Sequence, residues 1–266
     1  MDYSEYVRSQ VSAEQWKIVE GTGINLDSKV CSALWPGYVN LEKRSEKEVP
    51  FLLDQLSEYA NPRVLDAALG SGATTISLKL AGIEDVISND LDEDFITVAI
   101  EEAGKRGVNL DTFSYDWREL DKSSLGKFDA ILCLGNSLTY LFKHDDLIKS
   151  LRNFRGLLKP EGKLIIDERN YRQTLEGKFK NTGEIVYCGK QEAEVKPIYI
   201  KESMMIFEFG GKGQKGYFVA NPFLIEPMHA LLKESGFNEI TAYGDYKADF
   251  RPEEPEFITY VCKESR

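Results

Sequence analysis

A chain of 266 residues, 42% hydrophobic and 29% charged, is long enough to bury a large core and reads as one α/β domain with an insertion. Its 44 acidic residues outnumber 33 basic ones, for a net charge of -11, which argues against a nucleic-acid partner because such binding needs a basic face. No run of 18 apolar residues spans a membrane and the first residues lack a basic, apolar leader, so a cytoplasmic protein without membrane contact is expected.

Residues 1–34 carry Val7, Val11, Trp16 and Val19 as an amphipathic patch, broken by Gly21-Thr22-Gly23. They are expected to form an arm or lid rather than a domain. Trp35-Pro36-Gly37-Tyr38 follows, then a helix expected from about Ser45 to Tyr59 and stopped by Asn61-Pro62. From there strands and helices alternate. Strands are expected near 63–68, 85–89, 110–114, 128–133 and 162–167, and helices near 73–81, 94–106 and 145–158. Such alternation implies a doubly wound, mostly parallel sheet with right-handed crossovers.

Between Tyr171 and about Ala220 the pattern shortens to alternating segments at 184–188, 196–200, 203–209 and 216–219, with Gly210, Gly211 and Gly213 as turn signals. This predicts a small antiparallel β insertion covering the site, residues 171–219, set into a core of residues 35–170 and 220–266. A helix at 222–235 and strands at 239–243 and 257–261 bring the main sheet to seven strands.

The chemistry is expected where the parallel strands end. Val64 to Ala68 runs into Gly70-Ser71-Gly72 and then a helix, the context in which a glycine turn lets a ligand approach the backbone. Asp90 stands about 20 residues on, placed to take two ribose hydroxyls; its alternative is to cap the helix near Asp94. A nicotinamide site wants a third glycine where Thr75 stands. The turn, with Ala68, Gly70 and Gly72, resembles instead that of class I S-adenosylmethionine methyltransferases, whose cofactor has no pyrophosphate.

After the third strand, Asp116 is placed to accept from an adenine amino group and Trp117 to border the ring; the alternative is a turn cap and a core aromatic. Leu134 would lie against adenine or ribose. The fourth strand ends in Leu134-Gly135-Asn136-Ser137, without the Pro-Pro-aromatic run of nucleic-acid methyltransferases. Asn136 offers both a donor and an acceptor to a small amine or carboxylate. Arg169, after Leu164-Ile165-Ile166, presents a fork that matches a carboxylate, unless Asp167 or Glu168 takes it. Four scattered cysteines, Cys31, Cys133, Cys188 and Cys262, indicate neither a zinc site nor a disulfide framework, and no metal is expected.

Phe128 to Ser137, Asp167-Glu168-Arg169-Asn170-Tyr171 and the C-terminal Gly244-Asp245-Tyr246-Lys247 with Arg251-Pro252 resemble the glycine N-methyltransferase family, from about Trp35 to the C-terminus. The nearest resemblance is to its glycine/sarcosine N-methyltransferases of betaine synthesis. It implies a Rossmann-like methyltransferase fold and S-adenosyl-L-methionine as cofactor. The implied substrates are glycine and sarcosine, with dimethylglycine or betaine as product ligands. It further implies that Asn136, Arg169 and Tyr187 hold the amino acid, with Arg169 on its carboxylate, and that Trp35 and Tyr38 lie near the methionine part of the cofactor. The tyrosine that this family carries in its N-terminal arm has two candidates here, Tyr3 and Tyr6. Methylation of glycine alone, methylation of sarcosine and dimethylglycine, and a non-catalytic sensor of cofactor or betaine stay open as alternatives.

Overall fold

The computed structural model describes residues 2–122, 124–179, 194–211 and 213–264. Four helices lead in: α1 (Tyr3–Gln10), α2 (Ala13–Gly21), α3 (Ser28–Tyr38) and α4 (Leu41–Leu56). The alternation follows as β1 (Val64–Asp66), α5 (Ala73–Leu80), β2 (Val86–Asn89), α6 (Glu93–Gly104), β3 (Asp111–Phe113), β4 (Phe128–Cys133), α7 (His144–Leu157) and β5 (Leu158–Arg169). After a short α8 (Tyr171–Leu175) come β6 (Glu194–Lys201), β7 (Met204–Gly211), β8 (Gln214–Ala220), α9 (Ile225–Glu234), β9 (Glu239–Gly244) and β10 (Phe257–Lys263).

The main sheet has seven strands in the order β3-β2-β1-β4-β5-β10-β9. Only β10 runs antiparallel to its neighbours, β5 and β9. Strand order reverses between β1 and β4, and a ligand crevice opens at the carboxyl ends of strands around such a reversal.

Local chemistry explains where the helices begin. Asp2 caps α1 by accepting from the Ser4 and Glu5 N–H groups, and Ser12 and Gln15 form a reciprocal capping box on α2. Two helices differ from their expected bounds. Trp35 to Tyr38 form the last turn of α3, with Pro36 inside it. The next helix, α4, starts at Leu41 rather than Ser45 because the Asn40 side chain caps it through Lys43 N–H. It runs through Pro50, since Phe51, Leu52 and Leu56 are buried against the sheet. Each fully buried side chain of this size contributes about 1.5–3 kcal/mol, which offsets a local penalty of about 3 kcal/mol for the proline.

Strand residues divide between the two faces of the sheet with a period of two. Leu65, Ile131, Cys133 and Ile166 pack under α7 and α9, whereas Val64, Ala130, Leu132 and Ile165 pack under α4 and α5. The antiparallel sheet β6-β7-β8 is covered on both faces. Met204, Ile206 and Val219 meet Val7, Val11 and Val19 of the arm, and Phe207, Phe209 and Ala220 meet Cys31, Leu34 and Tyr38 of α3. The expected strand at 184–188 lies outside the described residues. Among the described residues, no helix is long and apolar enough to cross a membrane.

Candidate active site

A cavity of about 1370 Å³, its open mouth included, lies at the carboxyl ends of β1 to β4 under the arm. Its floor is the turn after β1. Ala68 and Gly70 line it, and Gly70 takes a left-handed φ of +52° while its N–H donates to Asp90 Oδ2 at 2.8 Å. Gly72 does not line the cavity. Its φ is +84° and a Cβ there would stand 3.1 Å from Ala99 and from Ile76, so this glycine serves the fit of α5 against α6.

Asp90 lines the cavity at the end of β2, and its other oxygen accepts from Asp92 N–H at 3.0 Å. Asp92, not Asp90, caps α6 through Asp94 N–H. Burial pushes the Asp90 carboxyl up to about 7, against the lowering effect of its two backbone donors.

Asp116 and Trp117 both line the cavity. The Trp117 indole N–H donates to the Ala67 carbonyl at 2.7 Å and its ring meets Phe154 edge-on, so one face of this residue belongs to the core. Arg118, which motif reading passes over, forks onto the Asp116 carboxylate and reaches Asp146 at 2.9 Å. Burial raises the Asp116 pKa, but hydrogen bonds from Arg118 outweigh it and hold the carboxyl below the ordinary range.

Leu134 lines the cavity where β4 ends. Gly135 and Asn136 then turn with φ of +83° and +63°. Asn136 N–H donates to Asp167 Oδ1 at 2.9 Å, Arg169 N–H donates to Asn136 Oδ1 at 2.8 Å, and Asn136 Nδ2 donates to the Tyr171 hydroxyl at 2.8 Å. Asn136 therefore clips the ends of β4 and β5 together. A side-chain amide has two N–H donors and two carbonyl lone pairs, so these bonds use half of its capacity.

The Arg169 guanidinium lies between Phe179 and Phe257, 4.9 Å from each ring centroid. Asn136 and Arg169 are brought together, but beside the main cavity rather than on its wall. Asp167 bonds to the Asn136 turn. Tyr187 lies outside the described residues.

Trp35 lines the cavity, whereas Tyr38 is buried beside it, its ring 5.4 Å from that of Trp35 and 5.2 Å from that of Phe209. Tyr38 thus packs against Trp35 and Phe209. Tyr3 and Tyr6 of the arm both reach the cavity, and Tyr140 joins them from the segment after β4, its ring 6.3 Å from Tyr3. Arg44 of α4, buried and on the same wall, is the largest omission of the motif reading. Its only sequence signal is a Glu at i+4 in a charged run, a pattern that ordinarily marks a solvated helix face.

Residues 64–162 match the family model of a methyltransferase domain. The chain is 35% identical over 230 residues to the glycine/sarcosine N-methyltransferase of Halorhodospira halochloris, spanning 86% of this chain and 85% of that protein. It is 36% identical to the glycine/sarcosine N-methyltransferase of Aphanothece halophytica, spanning 86% of each. Among solved structures, an S-adenosylmethionine-dependent methyltransferase from Clostridium acetobutylicum has a TM-score of 0.69 at 20% identity over 86% of this chain and 93% of that one, a likeness of fold. With more than a third of positions shared across most of both chains, the protein belongs to the glycine/sarcosine N-methyltransferase family of S-adenosylmethionine-dependent enzymes.

Proposed function

We propose that the protein methylates glycine to sarcosine and sarcosine to dimethylglycine in the cytoplasm, as part of betaine synthesis. The observation that carries this reading is its kinship, over 86% of its length, with proteins named for those two substrates. The cavity is consistent with the cofactor. It offers a carboxylate at Asp90 for ribose hydroxyls, a glycine turn without a side chain at Gly70, and a buried cation at Arg44 for a carboxylate.

In this reading Asp116 accepts from the adenine amino group, Leu134 and Trp117 flank the ring, and Ala68 and Gly70 give the backbone floor. Trp35 stands by the methionine part. When bound, S-adenosylmethionine supplies an electrophilic methyl group that a neutral amine nitrogen takes as the carbon–sulfur bond breaks. The chain's part is to bind and orient that amine. Arg169 holds the substrate carboxylate in a dry aromatic setting, where its charge is least screened. Asn136, fixed by its bonds to β5, aims the amine nitrogen with its remaining capacity, and Tyr187 completes the amino-acid site. The rings of Tyr3 and Tyr140 present faces that attract methylated ammonium groups.

The test is mass spectrometry of products after incubation with S-adenosylmethionine and glycine, sarcosine or dimethylglycine separately. Sarcosine and dimethylglycine should form from glycine, and dimethylglycine from sarcosine. Turnover of glycine to sarcosine with no further methylation would restrict the enzyme to the first step, and turnover of none of the three would overturn the reading.

A further inference from the structure

Glu48 lies one helical turn beyond Arg44 on the inner side of α4, 1% exposed. Its carboxylate gathers donors from three elements. Arg44 Nε stands 2.6 Å from one oxygen, and the Tyr246 hydroxyl, from the turn after β9, donates to the same oxygen at 3.3 Å. The Thr74 hydroxyl at the start of α5 donates to the other oxygen at 2.7 Å. Glu48 itself is absent from the cavity wall, which Arg44 and Thr74 both reach.

Two further carboxylates compete for the same cation. Asp66, on β1, and Asp167, on β5, are both buried and feel the charge of Arg44, while Glu48 repels each of them. A buried guanidinium without a held partner turns toward whatever anion is left, because an unpaired buried charge is costly. Glu48 takes the nitrogen nearest the stem, at 2.6 Å.

We infer that Glu48 is a positioning residue that sets affinity for the amino-acid end of the cofactor by holding Arg44 at the cavity wall, an inference that rests on the cofactor reading above. Without Glu48, Arg44 swings inward to Asp66 and Asp167 and the ligand carboxylate loses its counter-charge. The adenosine end, served by Asp90, Asp116 and Leu134, is left as it was.

The experiment is isothermal titration of wild type and Glu48→Gln with S-adenosylhomocysteine, which carries the amino-acid end, and with methylthioadenosine, which lacks it. Wild type should bind both. The variant should bind S-adenosylhomocysteine about tenfold more weakly, the scale of one hydrogen bond to a charged group, with methylthioadenosine affinity within about twofold of wild type. Equal loss of both ligands would make Glu48 a general structural residue, and unchanged or tighter S-adenosylhomocysteine binding would show that it does not position Arg44; either overturns the inference. Should Glu48→Gln fail to fold, Tyr246→Phe loosens the same carboxylate. It should weaken only S-adenosylhomocysteine, by about twofold to fivefold, and no such split would overturn the inference. Failure of wild type to bind S-adenosylhomocysteine at all would instead remove the cofactor reading and the inference with it.

Discussion

Asp90 has to accept hydrogen bonds in a place where burial disfavours its charge. Two backbone N–H groups offset part of that cost, from Gly70 and Asp92, yet the carboxyl still sits up at about 7. The ionised form is the stronger acceptor, so affinity for S-adenosylhomocysteine should rise as pH goes from about 6 to about 8. Asp90→Ala should weaken that binding by about 1.5–3 kcal/mol and abolish the rise. Calorimetric titration at the two pH values checks both, and a wild type whose affinity is flat in pH would exclude Asp90 as the titrating group. Residues such as Asp90, Leu134 and Trp117 were legible in the sequence because strand ends in this topology face the crevice whatever their chemistry. The packing contacts of Tyr38 and Gly72 were not legible for the complementary reason, since residue type does not say which way a side chain or a missing Cβ is turned. Arg44 was invisible because its buried partner Glu48 is in turn held by Thr74 and Tyr246, from two elements distant in sequence.

At the scale of elements, the turn into α5 shows a ligand loop and a packing joint sharing three residues. Gly70 faces the cavity and Gly72 faces α6. Gly72→Ala should therefore destabilise the fold by about 2–4 kcal/mol, from the left-handed backbone and the overpacking against Ala99 together. Denaturant unfolding measures this, and a loss under about 0.5 kcal/mol would show that α6 yields without strain. The parallel strands were readable from period and spacing, because each is bounded by turn chemistry within a few residues. The last turn of α3 was not, since Pro36 is a local helix breaker that tertiary burial overrides, and the first turn of α4 was not, since a single side-chain cap from Asn40 sets it rather than an apolar period.

For the whole molecule, three buried carboxyls outweigh their number. Burial raises Asp66 to about 6 and Asp90 and Asp167 to about 7. In the unfolded chain the same groups titrate near an ordinary 3.9. Between about pH 4 and pH 7 the folded protein therefore holds more protons than the unfolded one, and stability falls as pH rises through that window. Glu102 and Asp116, held below their ordinary range by arginine or lysine partners, act oppositely and lose their contribution only as pH falls toward 4 and below. Ligand-free protein should accordingly melt several degrees higher at pH 5.5 than at pH 8 by scanning calorimetry, and a higher melting temperature at pH 8 would count against these assignments. That the main sheet has seven strands was legible, but the partnership of the arm with the insert was not, because no local pattern links Val7 and Val11 to Met204 and Ile206. That partnership also orders events during synthesis. Gln15 and Ser203 touch across 188 residues, so the arm is made well before β7 and its apolar side waits for it. At roughly 5–20 residues per second, that wait is about 10–40 s. For that interval a nascent chain carries a sticky, uncovered segment, a ready target for chaperones and proteases, and the arm has no partner to hold it over the cavity until β7 and β8 have left the ribosome.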